Sequence, residues 1–289
     1  MTILVTGATG TVGRHVVAEL ARRGADIRAL VRDPAKAGLP AGVAVAQGDL
    51  LDVDAMRGAL SGISTLFLLN AVVPDEFTQA LVALNLAREA GVKRVVYLSV
   101  INSDLSVNVP HFAAKFGVER MIEGMGFEAT ILRPAYFIDN DRTVADAVLA
   151  HGVYPMPLGS RGLAMIDARD IGEIAALALI RRERAAGPLP SETLNLVGPE
   201  TLTGPDVAAI WSGVLGRPVA YAGDDTAGFE RSLRAFMPPW MAFDMRLMAE
   251  RFQTDGMIPE AGDRERLTAL VGRPLRTYRD FAAAVAAGA

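Results

Sequence analysis

Three glycines stand at regular spacing directly after the first apolar run of the sequence. Residues 3–6 lead into Gly7, Gly10 and Gly13, and an apolar helical pattern begins at the last of them. A bound phosphate needs backbone N–H donors at the positive end of a helix and no Cβ in its way, and glycines between a strand and a helix meet both needs. No Lys-Ser or Lys-Thr follows, which excludes a P-loop. The sequence therefore predicts a dinucleotide-binding turn, with a tight turn that binds no ligand as the alternative.

The residues after the second and third apolar runs bear on which dinucleotide binds. Arg32 follows the predicted strand 27–31, and its guanidinium pairs with a 2′-phosphate and stacks on adenine, which favours NADP(H). The neighbouring Asp33 either repels that phosphate or caps the turn with Pro34. The alternative interpretation is that Arg32 is a solvated surface charge without a ligand. Asp49 is placed either to accept from an adenine amino group or to cap the next helix. NADP(H) is the predicted cofactor, and NAD(H) stays open as an alternative.

The glycine turn belongs to an alternation of short apolar runs with helical patterns, which is typical of βαβ units and a parallel sheet. The predicted strands are 2–6, 27–31, 44–47, 65–69, 94–99 and 129–132. The predicted helices of this half are 13–23, 53–60, 76–90 and 110–123. This order predicts an α/β fold with a Rossmann-type, doubly wound parallel sheet.

Beyond residue 134 the pattern loosens, and proline and glycine become frequent. Helical patterns cover 144–150, 171–182, 206–215 and 278–286, and strand patterns cover 163–166 and 193–197. We therefore predict an NAD(P)-binding domain at 1–134 and a smaller substrate-binding lobe at 135–289, from which some segments return to the Rossmann core. The stretch 236–252, rich in methionine and aromatic residues, is interpreted as core of this lobe, with the roof of an apolar substrate site as the alternative.

Composition narrows the class of protein. The 289 residues contain no cysteine and three histidines, which excludes disulfides and thiolate nucleophiles and argues against a metal site. The 29 basic and 33 acidic residues give a formal net charge of −4 without a basic run, which argues against a nucleic-acid partner. The longest uncharged run, 58–74, is interrupted by polar residues and falls short of the roughly 20 apolar residues of a membrane span. We expect a cytoplasmic protein that acts on a small molecule, without a membrane partner, and leave a homodimer open.

Short segments occur along the chain in an order that is typical of one protein family. They are GATGTVG at 7–13, LVRDP at 30–34, GDL at 48–50, RVVYLS at 94–99, HFAAK at 111–115, ILRPAYFIDN at 131–140, DARDIG at 167–172 and GRPLRTYRDF at 272–281. Together they resemble the NmrA-like group of atypical short-chain dehydrogenase/reductases. The resemblance implies NADP(H) on the glycine turn, and either an NAD(P)H-dependent reductase or a redox-sensing regulator without turnover.

The chain departs from the Tyr-x-x-x-Lys pair of the wider superfamily, in which the tyrosine serves as acid or base and the lysine binds the nicotinamide ribose. His111 and Lys115 stand at the corresponding positions, and the i, i+4 spacing places both side chains on one helical face. The resemblance implies that Lys115 binds the ribose and that His111 donates a proton, which makes them the predicted catalytic residues. The alternatives are a surface ion pair between Lys115 and Glu119 and a packing role for His111. Ser99 stands early for a substrate-orienting serine, which disfavours an enzyme that needs the full Ser-Tyr-Lys set.

Residues 134–137 follow the sixth predicted strand, at the sheet edge where ligands bind in open α/β folds. They are predicted to wall the nicotinamide, with packing as the alternative. The predicted cofactor-binding residues are Gly7, Thr9, Gly10, Thr11, Val12, Gly13, Arg32, Asp49, Leu50, Asn70, Ser99, Lys115, Pro134, Tyr136 and Phe137. We predict an NAD(P)H-dependent oxidoreductase that transfers hydride to a quinone-, azo- or enone-like small molecule. An NADP(H)-binding redox sensor without turnover is the alternative.

Overall fold

Strands and helices alternate through the first half of the computed structural model, which describes residues 1–288. Up to Pro134 the elements are β1 (Thr2–Val5), α1 (Gly13–Arg22), β2 (Ile27–Val31), β3 (Ala44–Gln47), α2 (Val53–Leu60), β4 (Ile63–Leu68), α3 (Glu76–Glu89), β5 (Arg94–Leu98), α4 (Pro110–Gly124) and β6 (Glu128–Pro134). The later elements are α5 (Ala145–His151), β7 (Val153–Tyr154), α6 (Ala168–Arg184), β8 (Glu192–Leu196), α7 (Gly204–Leu215), β9 (Ala220–Tyr221), α8 (Thr226–Leu233), α9 (Pro239–Thr254), α10 (Asp263–Val271) and α11 (Tyr278–Ala287). The 3-10 segments Pro34–Lys36 and Ile138–Val144 follow β2 and β6.

The main sheet has the strand order β3-β2-β1-β4-β5-β6-β8 within the described residues. β1 pairs in parallel with both β2 and β4, and the outer pairs β2–β3, β4–β5 and β5–β6 are parallel as well. Strand order therefore reverses between β1 and β4, and open α/β sheets bind ligands beyond the carboxyl ends of the strands at such a point. The predicted Rossmann-type, doubly wound sheet is confirmed.

Apolar side chains cover both faces of the central strands, which are continuous apolar runs, whereas the edge strand β3 is largely exposed. In β1, Leu4 points to one face and Ile3 and Val5 to the other, and all three are buried. Helices α2, α3 and α4 cover the face of Leu4 and contribute to one apolar cluster Met56, Leu60, Ala80, Leu84, Val118 and Ile122. Helices α1 and α6 pack against each other so closely that a Cβ on Gly172 would lie 2.4 Å from the Cβ of His15.

The chain divides into two compact units, each made of several segments. The first unit comprises Met1–Asp104, His111–Arg133 and Ala168–Leu194, and the second comprises Leu105–Pro110, Pro134–Asp167 and Asn195–Ala289. The sequence suggests one boundary at residue 134 and leaves open which later segments rejoin the first part. In the structure that segment is Ala168–Leu194, which contains α6 and the first residues of β8.

The predicted strand at 163–166 is wrong. These residues make isolated bridges instead, from Leu163 to Leu202 and Met257 and from Ile166 to Phe137. Each bridge joins segments that are far apart in sequence. The apolar pattern therefore predicted the burial of these residues correctly, but it did not indicate whether they form a regular strand.

The interpretation of 236–252 as lobe core is wrong for three of its four aromatic residues. The exposed fraction is 82% for Phe236, 37% for Trp240 and 43% for Phe243. Most of this stretch is helix α9, which buries one face through Ala242 and Phe252. Within residues 1–288, none of the helices combines the length and the apolar composition that crossing a bilayer requires.

Candidate functional site

The turn between β1 and α1 lies where strand order reverses, and its backbone accepts only glycine at two positions. Gly7 has a φ of 62°, and a Cβ there would lie 2.9 Å from the side chain of Leu69. A Cβ on Gly13 would lie 2.0 Å from the carbonyl oxygen of Gly7. Any other residue would force the start of α1 away from the end of β1. The two glycines thus bring the helix start close to the carboxyl end of the sheet.

The start of α1 is open toward solvent and lacks a side-chain cap. Its N-cap position is Val12, which has no polar side-chain atom, and no acidic residue stands in its first turn. Thr9, Gly10 and Thr11 are exposed in front of it. The N–H groups of Arg14 and His15 bond back to the oxygens of Gly10 and Val12, at 3.1 and 2.9 Å. The partial positive charge of a helix start favours an anion such as a pyrophosphate.

The charged residues after β2 are exposed. Arg32 is exposed, and its backbone oxygen accepts from the side chain of Gln47 at 3.4 Å. Asp33 accepts from the backbone N–H of Ala35 at 3.1 Å and lies 3.2 Å from Nζ of Lys36. Asp33 therefore caps the 3-10 segment, and a neighbouring cation balances its charge.

After β3, Asp52 is the N-cap of α2 and accepts from the backbone N–H of Ala55 at 3.0 Å, so the helix-cap role predicted for Asp49 is wrong. Asp49 makes a local turn instead. Its carboxylate accepts from the backbone N–H of Leu51 at 3.1 Å. Leu50 is half-buried against the apolar cluster formed by α2, α3 and α4. Asp49 is exposed, so its second carboxylate oxygen faces solvent near the ends of β2 and β3.

Lys115 is buried on α4 and forms an ion pair that the sequence did not suggest. Its Nζ lies 2.5 Å from Oε1 of Glu76, the first residue of α3. The exposed side-chain fractions are 10% for Lys115 and 2% for Glu76. Asn70, which follows β4, donates through its amide to the backbone oxygen of Glu76 at 3.5 Å. The alternative of a surface pair between Lys115 and Glu119 is wrong.

Buried polar atoms around this pair lack hydrogen-bond partners. Within residues 1–288 these atoms include Oε2 of Glu76, Oδ1 of Asn70 and the hydroxyl of Tyr97 on β5. Burial raises the pKa of Tyr97 well above its ordinary value, and the carboxylates of Glu76 and Glu119 raise it further. An unpaired buried polar group costs about 1–3 kcal/mol. Two acceptors without donors beside a lysine are therefore suited to the hydroxyl groups of a ligand.

Glu119, one turn beyond Lys115, joins a different and well-paired network. Arg133 donates to both of its oxygens, at 3.0 Å from Nε and 2.6 Å from Nη2. Ser99 donates to it at 2.5 Å and Ser103 at 3.3 Å. The hydrogen bond to Glu119 raises the pKa of Arg133. Ser99, a predicted cofactor residue, thus donates its hydroxyl to a buried carboxylate.

His111 lies one turn before Lys115 on α4, as the spacing predicts. Its ring is half-buried and meets the ring of Phe112 edge-on, with 4.6 Å between centroids. The loop that leads to α4 contains Asn102, whose φ of 58° lies in the left-handed region. Asparagine tolerates that conformation better than most residues, and such residues are frequent beside functional sites.

The predicted residues after β6 belong to the second unit. Pro134 and Tyr136 are buried and Phe137 is half-buried. The Tyr136 ring meets Phe252 edge-on, and its backbone N–H lies 3.1 Å from Sδ of Met257. Packing within the second unit therefore fixes this segment.

A buried carboxylate within the second unit accepts hydrogen bonds from three tyrosine hydroxyls. Asp141 is 1% exposed and accepts from Tyr136 at 2.7 Å, from Tyr154 at 2.8 Å and from Tyr278 at 2.5 Å. Trp211 donates to the hydroxyl of Tyr278 at 3.1 Å. Burial raises the pKa of Asp141 above its ordinary value, and the three hydroxyl donors oppose that shift.

The doubly wound sheet, the glycine turn at its point of strand reversal and the uncapped start of α1 define a Rossmann-type nucleotide-binding protein. A family model described as the NmrA-like family matches residues 1–280. An NAD(P)H azoreductase of Xenophilus azovorans is 33% identical over 292 residues, which cover 99% of this chain and 98% of that protein. Quinone oxidoreductase 2 of Escherichia coli (strain K12) is 30% identical over 285 residues, 96% of each chain. The chain belongs to the NmrA-like family, as its motifs predicted.

A solved structure agrees with this assignment. The crystal structure of the NADPH-dependent quinone oxidoreductase QOR2 of Escherichia coli, complexed with NADPH, matches with a TM-score of 0.86 and 27% identity. The match covers 98% of this chain and 99% of the other. The match therefore extends over the residues of both units.

Sequence reasoning did not single out Glu76 or Asp141. The available signal for Glu76 was an acidic residue at the predicted start of a helix that leaves the same sheet edge as the predicted cofactor site. Asp141 had a weaker signal, since it directly follows the family motif at 131–140 and its tyrosine partners lie up to 137 residues away.

Proposed function

We propose that this chain is an NADPH-dependent reductase that transfers hydride to a flat, electron-poor acceptor such as a quinone, an azo compound or an enone. The observation that carries the proposal is the uncapped start of α1 behind a turn in which Gly7 and Gly13 leave no room for a Cβ. The relatives with oxidoreductase names support the reductase, and the NADPH named with the matching quinone oxidoreductase supports the cofactor.

The first unit provides a group for each part of the cofactor. The glycine turn and the amides of α1 hold the pyrophosphate, and the exposed Arg32 pairs with the 2′-phosphate. Lys115 donates to the nicotinamide ribose. The unpaired acceptor oxygen of Asn70 fits a ribose hydroxyl, which is a donor that the protein itself does not supply.

Hydride transfer to such an acceptor requires that the protein orient the cofactor and the acceptor, and that one proton be delivered. Reduced nicotinamide supplies a hydride, which carries two electrons and one hydrogen to the acceptor. A quinone reduced in this way takes one further proton to become the hydroquinone, and His111 or water delivers it. Orientation by the glycine turn and Lys115 supplies much of the catalysis, because such acceptors take hydride readily.

We also propose that the second unit binds the acceptor. The exposed aromatic side chains of Phe236, Trp240 and Phe243 support this role, since flat aromatic molecules stack on such groups. Residues 134–137 are fixed by packing and, in this proposal, wall the nicotinamide.

The finer parts of the proposal concern classification and context. We assign the chain to the atypical short-chain dehydrogenase/reductase type, in which His111 takes the place of the usual tyrosine. A cytoplasmic location and a homodimer belong to the same proposal. Size-exclusion chromatography with light scattering tests the homodimer directly.

The test is steady-state oxidation of NADPH, and in parallel of NADH, against a panel of quinones, azo dyes and enones. We expect turnover that prefers NADPH. Lys115→Ala should lower kcat/KM by about 10- to 100-fold, because the lost contact orients the cofactor in the transition state. Arg120→Ala is the matched control, since Arg120 is an exposed cation on the same helix.

Two outcomes contradict the proposal in different ways. Saturable NADPH binding without turnover on any acceptor would replace the reductase by the redox-sensing regulator. Turnover that Lys115→Ala leaves unchanged would keep the reductase and remove Lys115 from the site.

A further inference from the structure

We infer that Glu76 is a positioning residue for Lys115, which it holds at the start of α3 so that the ammonium group is directed to the cofactor ribose. This inference rests on the proposed role of Lys115 as a ribose ligand. It assigns a task to a buried carboxylate to which neither the sequence motifs nor the comparisons give one.

The geometry makes Glu76 a fixed anchor. It is the first residue of α3, where the partial positive charge of the helix start favours a carboxylate. It is 2% exposed, and the amide of Asn70 contacts its backbone oxygen. A lysine side chain is a flexible four-carbon chain without a fixed direction. An anchored partner therefore decides where its ammonium group lies.

The contact leaves the ammonium group able to bind a ligand. Lysine has three N–H donors, and Oε1 of Glu76 takes one of them at 2.5 Å. Lys115 is the more exposed partner of the pair, with 10% of its side chain open against 2% for Glu76. Glu76 is therefore the more enclosed partner of the pair, and Lys115 keeps the greater access to solvent.

Stability alone does not account for this pair. Replacing a buried ion pair with apolar residues often leaves stability unchanged or improves it, because two charges must be desolvated. Here Oε2 of the carboxylate also has no donor, which adds to that cost. A pair that is costly for folding and adjacent to the cofactor site is explained by positioning.

The experiment measures cofactor binding by isothermal titration calorimetry with NADPH and with NADH, and uses no turnover assay. Glu76→Ala should weaken both cofactors by the same factor, about 10-fold, because the nicotinamide ribose is common to them. Glu76→Gln should stay within about 3-fold of the parent, since its amide oxygen still accepts from Lys115. Arg32→Ala should weaken NADPH alone. Asp75→Asn is the matched control at the neighbouring position of the helix start, where the side chain contacts Gln79.

A double-mutant cycle separates positioning from other effects. In a Lys115→Ala background, Glu76→Ala should change either Kd by less than about 2-fold, because Glu76 then has nothing to position. Glu76→Asp serves if the alanine variant does not fold. It keeps the charge at the helix start but withdraws the oxygen by about 1.5 Å, and it should weaken both cofactors about 5-fold.

The two claims fail in distinguishable ways. If Lys115→Ala weakens binding while Glu76→Ala and Glu76→Asp bind as the parent does, the positioning role is wrong and the proposed function stands. An equal effect of Glu76→Ala with and without Lys115 also overturns the positioning role. If Lys115→Ala itself binds both cofactors as the parent does, the ribose role of Lys115 is wrong and the inference falls with it.

Discussion

The two units of the molecule each bury a carboxylate, and they do so in opposite ways. In the first unit Glu76 has a cationic partner in Lys115 but keeps one oxygen unpaired, beside unpaired atoms of Asn70 and Tyr97. In the second unit Asp141 is bound by three neutral tyrosine hydroxyls that occupy both of its oxygens.

The difference is the one expected between a structural centre and the cofactor site that we propose. A buried polar network whose members are all paired specifies and rigidifies a fold. A network with unpaired acceptors is poorly satisfied until something else supplies donors, and natural proteins tolerate that cost mainly at functional sites. Asp141 thus holds the second unit together, whereas Glu76 and Lys115 belong to the site that we propose for the cofactor.

The largest effect that this comparison predicts is on removal of the Asp141 carboxylate. Asp141→Ala leaves three buried hydroxyls without their acceptor, so we expect a loss of at least about 3 kcal/mol in the free energy of unfolding. Thermal and denaturant unfolding without cofactor measure it. Asp146→Ala is the control, because Asp146 is exposed on α5, and its loss should stay within about 1 kcal/mol. A loss of the same size in both variants would show that the tyrosine centre is not structural.

A matched pair of tyrosine variants gives the next largest effect. Tyr154→Phe removes a hydroxyl that donates to Asp141, and it should lower the free energy of unfolding by about 1–2 kcal/mol. Tyr97→Phe removes a buried hydroxyl without a partner and should be neutral or stabilising by up to about 1 kcal/mol. Equal losses in the two variants would contradict the distinction between paired and unpaired networks.

The smallest effect is a pH dependence. The pKa of Asp141 is raised in the folded protein, chiefly by burial, so the folded state binds the proton more tightly than the unfolded chain does. The parent should therefore gain stability relative to Asp141→Asn as the pH falls toward the ordinary carboxyl value of about 3.9, and lose that gain as the pH rises through the folded pKa. Urea unfolding of both proteins across this range checks the sign. A gain in the opposite direction would mean that the tyrosine donors outweigh burial.

Much of the first unit could be predicted from the sequence because its signals are local. The helix at 53–60 is found where its pattern placed it, and the helix predicted at 76–90 ends one residue earlier, at Glu89. Buried parallel strands are short apolar runs between turn residues, and such runs need no knowledge of distant partners. The glycine turn was predictable for the same reason, because strand, turn and helix are consecutive.

The rest depends on contacts that no local pattern reports. The i, i+4 spacing gave Glu119 as the alternative partner of Lys115, but the partner is Glu76, 39 residues away. Glu119 instead accepts two hydrogen bonds from Arg133. The prediction that 236–252 is lobe core failed for a related reason. Apolar composition indicates burial in general, but α9 exposes Trp240 and Phe243.

The place of α6 in the first unit has a consequence for synthesis. Helix α6 packs on α1, and its Glu183 accepts from Ser64 of β4 at 2.6 Å, so the last segment of the first unit, Ala168–Leu194, completes the packing around its sheet. Because chains leave the ribosome from the N-terminus, the nucleotide-binding unit waits until Leu194 has emerged, long after its glycine turn. The intervening residues Pro134–Asp167 belong to the second unit and are synthesised before the first unit is complete. Folding of the cofactor site is thus tied to translation of about two thirds of the chain, and its long-range contacts make a slow assembly step.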